Sequence, residues 1–296
     1  MDDMSAKRSN MTAQSTRLQK SGLKPTIAGR KRSSVFQRTV LDFYKKHGRN
    51  FPWRKTKDPY KILVSEIMLQ QTQVTRVVDF YARFLKRFPT LQKLAESSLS
   101  AVLKEWQGLG YNRRAKMFHE AARQIVKKHR GKVPRLYSEL VALPGVGDYT
   151  AKAVRTFAWN EPEMLIETNI RSAYLHHFFP KTQNVPDSKL IRYIEYTNDK
   201  KNPRVWHWSL MDYGSYLKKT MPNPSRRSAH HAPQKPFKGS DREIRGAILR
   251  ALAKKSSELK ALHDLPFPRK RIATQLSQLQ KEGFIIRRGS RYALQD

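Results

Sequence analysis

The sequence predicts an all-α protein with a small α+β unit towards its C-terminal side. Three observations predict it. Apolar residues recur at helical spacing from Ser34 to about Tyr216, broken mostly at Gly or Pro. No alternating apolar–polar pattern competes with that spacing over the same stretch. After Gly239, two further helical segments give way to strand-type residues around an Arg-Gly-Ser turn.

Taken in order, residues 1–33 are polar, basic and rich in Ser and Thr, without apolar periodicity. They are expected to be a disordered basic tail, either touching phosphates non-specifically or simply a plain terminus. Val35, Val40, Leu41 and Tyr44 open the helical pattern. Helices are then expected over Ile62–Val78, Tyr81–Phe88, Leu99–Trp106, Arg113–Lys128, Tyr137–Leu143, Thr150–Trp159, Asn169–Phe178, Lys189–Tyr196 and Arg204–Leu217. That makes a domain of about ten helices over residues 34–217. Residues 218–239 are Pro-rich and basic and read as a loop or linker. Asp241–Lys254 and Pro268–Lys281 are expected helices, and Gly283–Leu294 two short strands. Helix, helix and basic hairpin over residues 240–296 resemble a winged helix, which is either a DNA-binding unit or a plain packing module.

Composition narrows the function. The 296-residue chain has 59 Lys+Arg against 24 Asp+Glu, a formal net charge of +35, and 39% hydrophobic residues. It can bury a core, and its charge favours a polyanion over an anionic membrane surface, since each neutralised phosphate releases condensed counterions. There are no cysteines, so disulfides, thiolate nucleophiles and cysteine-held zinc or iron–sulfur clusters are excluded. No apolar run approaches the roughly 18 residues that span a bilayer. The N-terminal stretch lacks the apolar core of a secretory signal, so an intracellular place, cytoplasm or nucleoid, is expected.

Three segments carry chemistry. In Leu143-Pro144-Gly145-Val146-Gly147-Asp148-Tyr149-Thr150, Pro144 ends one helix, and Gly145 and Gly147 allow a tight turn opening the next. Backbone N–H groups at such a helix start favour an anion, so this helix-hairpin-helix is expected to grip a phosphate without reading sequence; an ordinary helical corner is the alternative. In Ser65–Val74, Glu66 lies among Val64, Ile67 and Leu69. Such surroundings push a carboxyl towards its neutral form, which suits a general acid, although a surface Glu on an amphipathic helix fits equally well. Gln70, Gln71 and Gln73 follow, a residue type that wedges into base stacks or bonds base edges. In Leu165–Arg171, Glu167 stands where an apolar segment ends and a helix begins. It either caps that helix or supports cationic charge developing on a sugar.

Together these segments resemble the HhH-GPD superfamily of DNA glycosylases, and within it the adenine DNA glycosylases of the MutY type. The resemblance covers residues 35–217 and also rests on Phe51-Pro52-Trp53-Arg54, Asp58-Pro59-Tyr60, Gly108-Leu109-Gly110-Tyr111 and Met211-Asp212-Tyr213-Gly214. It implies a two-lobed helical fold with the active site in the cleft, and a monomer acting on double-stranded DNA with a mispaired or damaged base. Glu66 matches the residue that protonates departing adenine, and Glu167 the catalytic aspartate that supports the sugar cation. Asn169 matches an asparagine beside that aspartate. Tyr149 stands where bifunctional relatives carry a Schiff-base lysine, which implies a monofunctional enzyme. Gln71 matches a glutamine inserted into the duplex, and Trp53, Arg54 and Leu69 match residues lining the flipped-base pocket. Gln70, Tyr111, Asn112, Arg113, Gly145, Val146, Gly147 and Thr150 are the remaining expected DNA contacts.

The departures are as informative. Glu167 is one methylene longer than the family's aspartate. The family's iron–sulfur cluster run would begin at Lys218, and with no cysteine this is a clusterless variant without an expected cofactor. Residues 218–237 are expected to fill that corner, leaving Arg226 and Arg227 free to meet phosphate. His230 and His231 lack further ligands at metal spacing. Asn112 replaces a second tyrosine that wedges beside 8-oxoguanine, and the winged-helix-like unit stands in place of the family's MutT-like domain. Adenine removal is therefore better supported than a preference for 8-oxoguanine opposite. Two rivals stay open: removal of thymine or uracil opposite guanine, and a mismatch-sensing binder without turnover.

Overall fold

The computed structural model describes residues 27–234 and 236–296. Its first helix, α1 (Ile27–His47), takes in residues 27–33 of the expected tail; residues 1–26 lie outside the described residues. Tertiary contact explains the early start, since Ser33, Phe36 and Val40 are buried and the Arg32 guanidinium donates to the His177 carbonyl.

The next helices are α2 (Pro59–Leu69), α3 (Val74–Arg87), α4 (Leu91–Glu96), α5 (Leu99–Trp106), α6 (Arg113–His129), α7 (Tyr137–Val141) and α8 (Asp148–Trp159). Asp58 starts α2, its carboxylate accepting from the N–H groups of Tyr60 and Lys61, with Pro59 in the first turn. The single helix expected over Ile62–Val78 is two. Gln70 leaves helical geometry at ψ 111° and Gln71 turns left-handed at φ 55°. The released carbonyls are met from elsewhere in the chain: the Arg114 guanidinium donates to the carbonyls of Ile67 (2.9 Å), Met68 (2.8 Å) and Gln70 (2.6 Å). The segment α4 was not foreseen; Thr90 caps it.

These helices, α2 to α8, pack on one another as one lobe, around Phe84, Phe88, Trp106 and Phe118. The other lobe is α9 (Thr168–Phe178), α10 (Asp187–Thr197) and α11 (Pro203–Thr220), closed by α1 from the far end of the chain. Its centre is Phe36, ringed by Tyr174, Phe178 and Trp206 at centroid distances of 4.9, 5.1 and 6.0 Å. α8 touches both α2 and α11, so it forms the floor between the lobes. The fold is thus the two-lobed helical architecture expected.

Beyond α11, which runs to Thr220, Pro224–Arg227 form a 3-10 turn packed on α9. Ser228 bridges Val185, with N–H to carbonyl bonds of 2.8 Å from Val185 to Arg227 and 3.0 Å from Ala229 to Val185. This part of the expected linker is therefore docked structure, seated against the second lobe. The C-terminal unit is α+β: α12 (Asp241–Lys254), β1 (Ser257–Glu258), α13 (Leu259–His263), α14 (Arg269–Lys281), β2 (Ile285–Arg288) and β3 (Arg291–Leu294). Its sheet is antiparallel in the order β1-β3-β2, with Ile285 opposite Leu294 and Arg288 opposite Arg291 across the Gly289 turn. α12 and α14 cover it with Ile244, Ile248, Ile272 and Leu276. The unit rests on the first lobe: α12 packs on α5, and Lys116 donates to the Glu282 carbonyl at 2.8 Å.

Candidate active site

Three ionisable side chains from three helices meet where the lobes face each other. Glu66 lies in the second half of α2, within the run Ile62–Met68, every member of which is buried. Burial pushes its carboxyl up to about 8, with the nearby charge of Glu167 adding to the rise and the Arg54 guanidinium opposing it. Glu167 is the N-cap of α9, its extended backbone aiming the side chain back at the helix start. Its Oε1 accepts from the Ile170 N–H at 2.8 Å and its Oε2 from the Asn169 side-chain amide at 3.1 Å. Burial raises this carboxyl too, and the backbone N–H groups of Asn169 and Ile170, then the charges of Lys218 and Arg171, oppose that rise without cancelling it. Tyr149, near the start of α8, feels burial and both carboxylates, which hold its phenol well above its ordinary range and so protonated.

The walls that hold this trio are tied by one acid. Asp212 on α11 is nearly inaccessible and receives both arms of the Arg54 guanidinium at 2.8 Å each. The Arg49 N–H and Nε reach the same carboxylate at 2.7 Å each. Two positive partners make this buried anion tolerable, and they fix the segment before α2 to α11. Two residues on, Gly214 lets α11 approach α9: a Cβ there would stand 1.9 Å from the Asn169 carbonyl oxygen.

Several of the expected contact residues have partners within the chain. The Arg54 guanidinium is bound to Asp212 and lies against the rings of Phe51 and Trp208 at 5.2 and 5.4 Å. It bears on Glu66 through its charge. Trp53 is buried, stacked on Phe51 at 5.0 Å, and Leu69, at the end of α2, is half-buried. Gln70 and Thr150 bind each other: the Gln70 amide donates to the Thr150 hydroxyl at 3.1 Å and to the Gly145 carbonyl at 3.3 Å, and Thr150 is buried. Val146 packs into the core and its N–H closes the turn on Leu143 at 3.2 Å. Within the hairpin, Gly145 supplies the left-handed turn at φ 78°, and Gly147 caps α8 with open space beside it. Arg227 turns inward to the Leu175 carbonyl at 3.0 Å, whereas Arg226 is exposed.

Gln71, Arg113 and Asn112 line a groove between the first lobe and α12, joined there by Arg242 and Arg245. Gln71 and Arg113 are exposed. Tyr111, left-handed at φ 48°, puts its ring against the Arg242 guanidinium at 5.0 Å, and its hydroxyl accepts from Gln234 and Arg242. Sequence reasoning missed Arg114, Asp212 and Arg49. An acid flanked by Met211 and Tyr213 on an apolar helix was the one available signal, because such an acid demands a partner. Arg114 had none, its six acceptors lying at residues 67–72 and 109–110.

Residues 64–200 match the HhH-GPD superfamily of base excision DNA repair proteins. An adenine DNA glycosylase of Buchnera aphidicola subsp. Baizongia pistaciae is 36% identical over 185 residues, which is 62% of this chain and 53% of that protein. One of Mycobacterium tuberculosis is 41% identical over 148 residues, 50% of this chain and 48% of that protein. A solved thermostable thymine-DNA glycosylase aligns with a TM-score of 0.57 at 28% identity, covering 62% of this chain and 87% of that one. The chain spans about half the length of the curated relatives it matches. Among the described residues, no group of three or more His, Cys, Asp or Glu side chains is placed to hold a metal ion, and no helix is long and apolar enough to cross a membrane.

Proposed function

We propose that the chain is a monofunctional DNA glycosylase of base excision repair that extrudes a mispaired base, adenine opposite guanine or 8-oxoguanine, and hydrolyses its N-glycosidic bond. The observation that carries the reading is the pair of carboxyls in unlike settings: Glu66 pushed up to about 8 by burial, Glu167 held by two N–H donors. With its carboxyl at about 8, Glu66 carries a proton near neutral pH, and on this reading Glu167, met by those donors, acts as the anion. The Glu66 proton passes to a nitrogen of the base as the bond from the sugar breaks and its electron pair leaves with the base. The Glu167 carboxylate faces the cationic sugar carbon, and water adds there, releasing a proton and leaving an abasic site. Tyr149, held neutral, offers a hydroxyl rather than an amine, which supports hydrolysis without strand cleavage.

On this reading the Gly145–Gly147 hairpin and Arg226 hold the backbone, Gln71 enters the stack from its left-handed turn, and the groove with Asn112, Arg113 and Tyr111 lies along the opposing strand. The basic α+β unit extends that surface. Extrusion costs a few kcal/mol, less at a mispair, which supplies part of the selectivity. The test is adenine release under single-turnover conditions from A:8-oxoguanine and A:G duplexes, with Glu66→Gln as control. Release lost in the variant supports the reading, and tight binding without release refutes it. Likeness to a thymine-DNA glycosylase makes T:G and U:G duplexes the necessary comparison; release from those alone would replace adenine as the target.

A further inference from the structure

Lys218 lies in the last turn of α11, and its ammonium donates to Asn169 Oδ1 at 3.2 Å. The Asn169 Nδ2 donates in turn to Glu167 Oε2 at 3.1 Å. A side-chain amide has an accepting end and a donating end, an ammonium only donates, and a carboxylate only accepts. The relay therefore has one consistent direction: Lys218 takes the oxygen of Asn169, and the amide N–H is left for an ionised Glu167. The same helix face acts twice, because Gly214, four residues before Lys218, is the position that meets the Asn169 backbone.

The charges around Glu167 sharpen the assignment. Glu66 faces it from α2 and Tyr149 from α8, and neither brings a positive charge. Arg171, on its own helix, is answered by Asp187 through two bonds of 2.8 and 2.6 Å. Lys218 ends on a neutral amide, so its charge is carried towards Glu167 without a carboxylate between. We propose that Lys218 is a positioning residue for the reaction: through Asn169 it orients the Glu167 carboxylate and keeps it an anion facing the cleft. The proposal rests on reading Glu167 as the anion that supports the sugar.

The test begins without activity. Carboxyl-carbon NMR of the full chain labelled in glutamate, with the Glu167 signal assigned from Glu167→Gln, gives its titration midpoint directly. In Lys218→Gln, which keeps a donor but removes the charge, the midpoint is expected to rise by about one pH unit. Lys218→Met should do the same, and Lys218→Arg, which restores the charge, should return it close to the native value. In single-turnover base release the acidic limb should move up by the same amount in the Gln and Met variants. A merely structural role would lower the rate by one factor at every pH and leave the limb in place. An unmoved Glu167 midpoint in a folded Lys218→Gln overturns the proposal. Borohydride trapping of the native chain on abasic DNA, lost in Lys218→Gln, also overturns it, by making the amine a nucleophile. If the native chain releases no base while the midpoint still moves, the glycosylase reading fails and the Lys218–Glu167 coupling stands.

Discussion

The two walls of the cleft carry the same side chain and treat it differently. On the α2 wall, Glu66 stands in an unbroken buried run, with Arg54 as an opposing charge that is itself tied to Asp212. On the α9 wall, Glu167 stands at a helix start, where an N–H and an amide wait for a carboxylate. Burial raises both carboxyls, and only on the α9 wall do hydrogen-bond donors oppose it. The proposed acid and the proposed anion thus differ in their place in secondary structure: the flank of a helix on one side, the first turn of a helix on the other.

The largest effect should come from exchanging one wall's carboxyl for an amide of the same shape. Glu167→Gln keeps an acceptor for the Ile170 N–H but removes the charge, and base release should fall by about 10²-fold or more, with duplex affinity retained in a binding titration. Unchanged release would show that the α9 wall does not need an anion. Next is the clamp beneath both walls. Asp212→Asn leaves the Arg54 and Arg49 guanidiniums without their buried counter-ion and should destabilise the fold by about 3–5 kcal/mol, read as a lower denaturation midpoint in urea.

The third prediction concerns the α2 wall and has a definite sign. Glu66 is raised in the folded state from its ordinary 4.5 to about 8. The folded chain therefore binds more protons than the unfolded chain between those values, and stability falls as pH rises through that window. Glu66→Gln should stabilise the protein at pH 8 by on the order of a few kcal/mol and change little at pH 4. A gain of equal size at both pH values would put the burial account aside. The smallest effect is at the joint between the α2–α3 turn and the hairpin: Gln70→Ala removes two hydrogen bonds and should cost about 1–2 kcal/mol by thermal denaturation.

What was legible in the sequence was mostly local. The hairpin could be read because Leu143-Pro144-Gly145 and Gly147 dictate their own geometry. α12 and α14 could be read because Ile244, Ile248, Ile272 and Leu276 keep helical spacing. The break between α2 and α3 could not, since Val74, Val77 and Val78 continue the apolar period and no Gly or Pro interrupts it. The helix stops there because Arg114, more than forty residues on, accepts the role of cap. For the site, residue types came from the sequence and partners did not. Arg54 carried the right charge for a pocket, but only the packing of α11 shows that Asp212 claims it. Thr150 had the chemistry for a DNA contact, and its burial against Gln70 is a matter of how two turns meet. β1, two residues long, has no pattern to recognise.

The second lobe also imposes an order on biosynthesis. α1 is made first, yet its partners α10 and α11 come about 150 residues later, and the first lobe is complete in sequence before α9 exists. At roughly 5–20 residues per second on the ribosome, Glu66 can reach its buried setting several seconds before Glu167, Asn169 and Lys218 have all been added. The nascent chain therefore passes through a stage with one wall folded and the opposite wall unmade, and with the apolar side of α1 waiting. Until the chain has grown past Thr220, where α11 ends, that apolar side lacks part of its cover.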